Sequence, residues 1–121
     1  MSINNAITYL KYFENKQSSK IKKMLHRDCS LRDWEIDVSG RGNVLTAMQS
    51  IFDSVKVLSV NIHNAYESKN TAVIEMDIVI DGNKIHVVDI IEFMDEQIVS
   101  IRAYKGSVSY THLKLPTINW V

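Results

Sequence analysis

A chain of 121 residues with 14 basic and 14 acidic side chains is long enough for one domain with its own hydrophobic core, and it carries no formal net charge. That balance excludes a surface built to coat phosphate backbones or anionic membranes, which needs a basic excess. It also offers little resistance to self-association, so a homodimer is expected, with no nucleic-acid and no membrane partner. Cys29 is the only cysteine, which excludes an intrachain disulfide and a cysteine-based zinc site.

Helix is predicted first. Ile3, Ala6, Ile7, Leu10 and Phe13 recur at helical spacing, with Lys11, Glu14 and Asn15 on other faces. Met1-Ser2-Ile3-Asn4-Asn5 lacks the basic-then-apolar pattern of a secretory leader. No uncharged apolar run approaches the ~18 residues of a membrane span. The expected compartment is therefore cytoplasmic. Gln17-Ser18-Ser19 breaks the first pattern, and either serine can cap a second short helix that turns Ile21, Met24 and Leu25 inward. The stretch Asp28 to Gly42 reads as a connection anchored by Leu31, Trp34, Ile36 and Val38. Gly40-Arg41-Gly42-Asn43 marks the start of a third helix, whose apolar stripe is Val44, Leu45, Met48, Ile51, Phe52 and Val55.

After Val55 the apolar period changes to two, and four strands are predicted, at about 56–66, 71–80, 84–94 and 97–106. The short polar connections Ser68-Lys69-Asn70, Asp81-Gly82-Asn83 and Asp95-Glu96 join antiparallel neighbours in a meander. Helices first and a meander after make an α+β fold. The expected architecture is a curved antiparallel sheet of four to six strands packed on three N-terminal helices over an apolar pocket. This domain takes residues 1–106. In the tail, 107–121, the run from Ser107 to Ile118 continues no earlier pattern and resembles a translated sequencing adapter; a genuine last strand turning at Pro116 is the alternative.

Strand 84–94 carries the most chemical information. Ile85, Val87, Asp89, Ile91 and Phe93 share one face. A carboxylate among four large apolar neighbours is expected to be desolvated, which raises its pKa toward the range of a general acid or base. A structural pair with a buried basic group such as Arg102 is the alternative for Asp89. Asp33, within Leu31-Arg32-Asp33-Trp34, is the second carboxylate candidate, and Tyr9 and Tyr12 offer phenol hydroxyls from the first helix. Trp34, Ile91, Phe93 and Phe52 are expected to wall the pocket with Tyr12. His63, Ser59 and Asn61 fall on the polar face of the first strand, and Glu75 and Asp77 on a solvated or interface face of the second. The four histidines show no metal-ligand spacing, and there is no phosphate-binding glycine loop, nucleophile elbow or dinucleotide fingerprint, so neither a metal nor a cofactor is expected.

Three stretches carry a family resemblance: Leu31-Arg32-Asp33-Trp34 followed by Gly40 and the third helix; Val87-Val88-Asp89-Ile90-Ile91-Glu92-Phe93; and Gln97-Ile98-Val99-Ser100-Ile101-Arg102-Ala103-Tyr104. Over about residues 3–106 the chain resembles the nuclear-transport-factor-2-like superfamily, and within it the SnoaL-like and ketosteroid-isomerase-like domains. The resemblance implies the cone-shaped, cystatin-like version of the α+β fold. It does not imply one reaction, because these domains host isomerases, cyclases, hydrolases, dehydratases and non-catalytic modules. Against the ketosteroid-isomerase pattern, Tyr9 falls at the oxyanion-binding tyrosine and Asp33 at the base. Ile91 occupies the place of the oxyanion-binding aspartic acid, and Asp89 stands where SnoaL-like domains often carry an aspartate. Three functions follow as expectations: a pocket for a small hydrophobic molecule; a proton-transfer enzyme of isomerase, cyclase or hydrolase type using Asp33, Asp89 and Tyr9; or a non-catalytic dimerisation module.

Overall fold

The computed structural model describes residues 2–106. The tail 107–121, with its adapter-like run and the alternative last strand, lies outside the described residues. Among these, no helix is long and apolar enough to cross a membrane.

Helix α1 spans Ser2–Glu14 and buries Ala6, Tyr9 and Leu10. It ends where Gln17 N–H reaches back to Tyr12 O and Lys16 takes a left-handed conformation (φ 56°). Helix α2 spans Ser18–Met24 and buries Ile21. Its N-cap is Gln17, with no side-chain cap, so the expected serine cap does not form; Ser18 Oγ instead donates to Gln49 Oε1 on the third helix, at 2.7 Å. That helix, α3, spans Arg41–Ser54 and buries Val44, Met48 and Phe52. It begins at Gly40, whose φ of 93° suits a residue without a side chain. Lys16 Nζ donates to Phe52 O (3.0 Å) and to Val55 O, meeting the free carbonyls at the end of α3.

The stretch read as a connection is a pair of strands, β1 (Leu25–Arg32) and β2 (Asp37–Ser39), followed after α3 by the meander β3 (Leu58–Ser68), β4 (Thr71–Ile80), β5 (Asn83–Met94) and β6 (Gln97–Lys105). The six strands form one sheet in the order β2-β1-β6-β5-β4-β3. The sheet is mixed, which corrects the antiparallel expectation, because β1 lies parallel to β6. The physical reason is topological. The first strand enters the sheet beside the last, so a long crossover separates the two and no hairpin constrains their direction. The β4–β5 hairpin turns through Asp81 and Gly82, both at positive φ, as a two-residue hairpin requires. Register breaks between Ile62 and Asn64 and between Glu92 and Phe93 insert bulges, which bend and twist a sheet. Helix α1 packs on β3, β4 and β5, α3 on β1 and β2, and α2 bridges the two helices. The core fills the inner face of the sheet with Leu25, Ile74, Met76, Ile91, Ile98 and Ile101, all essentially without exposed surface. Each such side chain contributes about 1.5–3 kcal/mol relative to an exposed one.

Candidate functional site

The inner face is not filled everywhere. Between α1, α3 and the inner faces of the strands lies a cavity of about 100 Å³ that Tyr9, Asp33, Trp34 and Asp89 help to line. Asp89 occupies the middle of β5, with Ile74 opposite it on β4 and Ala103 on β6. The residue is 6% exposed, and no described group donates a hydrogen bond to its carboxyl. Burial raises its pKa to about 7, with the charge of Asp33 as the second cause. The alternative pairing with Arg102 does not occur. Arg102 stands opposite Ile90 on the β5–β6 ladder, on the outer face, and donates to Glu92 Oε1 (3.1 Å) and Ser100 Oγ (3.0 Å).

Asp33 reaches the same cavity from the turn between β1 and β2. Its Oδ1 accepts from the backbone N–H groups of Glu35 (2.7 Å) and Ile36 (2.6 Å), while its own N–H donates to Ile36 O (2.8 Å). Such a closed aspartate turn fixes the chain reversal and sets the carboxylate's direction. Its other oxygen accepts no hydrogen bond from a described residue. Tyr9 enters from α1. It is buried at 3% exposure, and its phenol pKa is raised well above the ordinary value by burial first, then by Asp89 and Cys29. Phe13 packs against Tyr9 at 6.1 Å between ring centroids and against Phe52 at 5.2 Å, edge-on. Every buried side-chain nitrogen or oxygen that is sealed from solvent has a partner among the described residues, so the unpaired polar atoms of Tyr9 and Asp89 open onto the cavity. Cys29 is buried, and burial raises its thiol pKa, which keeps it unreactive.

Of the residues expected to wall the pocket, Trp34 does so, 42% exposed and with the Lys105 ammonium 5.2 Å from its ring centroid. It is a side chain of the cavity wall and not the buried anchor of a connecting segment. Ile91 and Phe52 pack in the closed core, and Phe93 lines a separate shallow surface depression with Ser2 and Asn5. The start of α1 covers that end of β5. Tyr12 is half-buried beneath the Lys20 ammonium, 5.5 Å from its ring centroid. Met48 and Ile51, members of the apolar stripe of α3, line the cavity.

A second polar cluster escaped sequence reasoning. Asp77, assigned to a solvated or interface face, is covered on the outer face of the sheet: His63 Nε2 lies 2.9 Å and His86 Nδ1 2.5 Å from its carboxylate oxygens. The hydrogen bond from His63 lowers the Asp77 pKa, aided by the bond from His86. The β4–β5 register sets Asp77 opposite His86, and the bulge in β3 brings His63 alongside. No group of three or more His, Cys, Asp or Glu among the described residues is arranged to hold a metal ion.

The fold agrees with what the chain resembles. The sequence profile of the SnoaL-like domain family matches residues 6–101, which includes α3, β5 and nearly all of the cavity wall. The chain belongs to the SnoaL-like domain family. None of the curated proteins matches it. Among solved structures it superposes on a ketosteroid-isomerase-like protein from Catenulispora acidiphila in complex with trimethylamine, at a TM-score of 0.75 and 14% identity over 86% of each chain. A nuclear-transport-factor-2-like protein of unknown function from Cytophaga hutchinsonii gives 0.75 and 15%, covering 88% of this chain and 90% of that one. An epoxide hydrolase from M. tuberculosis described as LEH-like gives 0.73 and 16%, covering 87% and 82%. At these identities the likeness shows that this SnoaL-like domain has the nuclear-transport-factor-2-like fold, and no reaction comes with it.

Proposed function

We propose that this SnoaL-like domain is a proton-transfer enzyme for a compact organic substrate, with Asp89 as the general acid–base group. One observation carries this reading: a carboxyl buried without a basic partner, whose proton is held to about pH 7, faces a cavity that a second carboxylate shares. Two carboxyl groups whose surroundings differ this much can divide the roles of acid and base. Asp89 at neutral pH gives or takes a proton with little driving force wasted, and Asp33, held by two backbone N–H groups, supplies the complementary ionised group. The Tyr9 hydroxyl, kept protonated, can donate a hydrogen bond to a substrate acceptor or accept one from a substrate N–H. The remaining wall is apolar and excludes water, which strengthens each of these interactions.

The cavity's size restricts the substrate. An apolar cavity of about 150 Å³ takes benzene, so about 100 Å³ admits a smaller molecule unless the Trp34 wall moves. Trimethylamine, bound by the Catenulispora acidiphila protein, is in this size range. A hydrolase among the structural neighbours fits acid–base chemistry on this fold.

The test is direct. The Asp89 carboxyl carbon, followed by NMR through a pH titration, should report a midpoint near neutrality. Deuterium incorporation from solvent into acetone should then be faster with the wild type than with Asp33→Asn or Asp89→Asn. An Asp89 that titrates in the ordinary carboxylate range overturns the proposal.

The same reading takes the protein to be cytoplasmic and homodimeric. The outer face supports pairing, since Val73, Val88 and Ile90 stand half-buried there near exposed Tyr66 and Tyr104. Light scattering that returns the monomer mass at every concentration refutes the dimer.

A further inference from the structure

Every charged side chain on the wall of the cavity is acidic. Asp33 and Asp89 line it, and no lysine, arginine or histidine among the described residues joins them. The basic groups nearby are engaged elsewhere. Lys105 is exposed and lies over the Trp34 ring, Arg32 reaches the Tyr104 hydroxyl at 3.5 Å, and Arg102 bonds Glu92 on the opposite face of the sheet. Two carboxyl groups in a largely apolar cavity make a strong preference among guests of one shape. A positive guest is attracted, a neutral one is indifferent, and a negative one is repelled, all more strongly than in water because little solvent screens the charges. The rings of Tyr9 and Phe13 add to the same preference, since the face of an aromatic ring attracts a cation.

We infer that the cavity selects a compact organic cation, a small alkylammonium or protonated amine of roughly four or five heavy atoms. Its alkyl groups meet the apolar wall, which a hydrated metal ion or a larger polar cation does not match, and its charge lies between the two carboxyl groups. The inference deepens the acid–base reading by naming the charge of the substrate, and one part rests on that reading: a bound cation favours ionised Asp89, so binding releases the proton that the empty site holds.

The groups facing Asp89 are few. Asp33 comes from the β1–β2 turn and Tyr9 from α1; Cys29 on β1 acts on Tyr9; α3 contributes the apolar Met48 and Ile51; and Ile74 and Ala103 flank it on the sheet. Burial among them, and the charge of Asp33, raise the Asp89 pKa to about 7.

Tetramethylammonium and tert-butanol have nearly one shape and differ in charge, pivalate carries a carboxylate on a similar but larger trimethyl head, and the binding of each to the full chain is measured by calorimetry. Tetramethylammonium is expected to bind most tightly and pivalate least. Its affinity should rise about tenfold between about pH 6 and about pH 8, with proton release visible in buffers of different ionisation enthalpy. Both carboxyl substitutions, Asp89→Asn and Asp33→Asn, should weaken it, and Asp89→Asn should also remove the pH dependence. Tert-butanol or pivalate binding as tightly as tetramethylammonium overturns the inference, and so does the absence of tetramethylammonium binding. The two readings fail separately. A cation preference with no pH dependence sinks the acid–base role of Asp89 and leaves the cation site standing. An Asp89 that titrates near neutrality in a pocket indifferent to charge does the reverse.

Discussion

The Asp33 carboxylate, fixed by two backbone N–H groups of its own turn, adds its charge to the burial that holds the Asp89 proton on until about pH 7. Burial is the larger cause. Asp33→Asn is therefore expected to lower the Asp89 pKa without returning it to the ordinary carboxylate value. An asparagine oxygen still accepts both turn hydrogen bonds, so the fold should be unaffected. Carboxyl-carbon NMR of the variant checks this, and an unchanged midpoint would show that the two carboxyl groups do not sense each other.

Asp89 should make the protein less stable as pH rises. Between the ordinary carboxylate value and about 7 the folded state keeps a proton that the unfolded state has released, so stability falls through this window. Below the window the carboxyl is neutral in both states and costs nothing. Above it the full penalty applies, a few kcal/mol and on the order of 4 at most. Asp89→Asn is expected to resemble the wild type at acidic pH and to exceed it in stability in mild alkali. Urea unfolding at the two ends of the window measures the difference.

Asp77 acts with the opposite sign. Its folded pKa is lowered by His63 and His86, so its contribution is present above the ordinary carboxylate value and is lost as pH falls through the lower, folded one. Replacing His63 by glutamine removes the larger cause, and the acid unfolding transition should move to higher pH. Circular dichroism through an acid titration follows it; a transition that does not move would mean that His63 contributes nothing to holding Asp77 ionised.

Lys16 should matter beyond its charge. Its ammonium donates to Phe52 O and Val55 O at the end of α3 and so ties the α1–α2 turn to that helix. Lys16→Met keeps most of the stem but leaves these carbonyls unpaired, and is expected to cost about 1–2 kcal/mol in chemical denaturation. Lys16→Arg should lose less, because a guanidinium can still donate to the carbonyls.

Tyr9→Phe separates packing from chemistry. The ring continues to pack against Phe13, and the hydroxyl has no hydrogen-bond partner among the described residues, so thermal stability should hold or rise slightly. Binding of a ligand that accepts a hydrogen bond, such as acetone, should weaken by roughly 1 kcal/mol. Equal affinity in the two proteins would remove the hydroxyl from the site.

The meander was readable because its signals are local. Strands β3 to β6 show an apolar period of two, and Asp81-Gly82 supplies the positive φ its hairpin needs. The same alternation put Asp89 on the buried face of β5, and the apolar neighbours of that face already implied a raised pKa. Strand β1 was not readable. Leu25, Cys29 and Leu31 are its buried residues, but a break in register between Leu25 and Ser30 disrupts the alternation, and its partner β6 lies about seventy residues along the chain. The wall of the cavity was half readable for a similar reason. Periodicity says which residues point inward, not where two helices leave the inner face open, so it could not separate Ile91 and Phe52 in the closed core from Met48 and Ile51 at the cavity.

The sequence by itself determined the α+β class, the meander, the inward aspartate on β5 and the aspartate between Arg32 and Trp34. Each of these follows from residues close together in the chain, through side-chain period and turn chemistry. Only the tertiary structure decided that β1 runs parallel beside β6, that Arg102 turns away from Asp89, that His63 and His86 share Asp77, and that Asp33, Asp89 and Tyr9 meet in one cavity. Those relations depend on strand register and on which face a helix covers. Both are settled by the burial of the whole chain at once, since a shift of one residue in a strand exchanges its two faces.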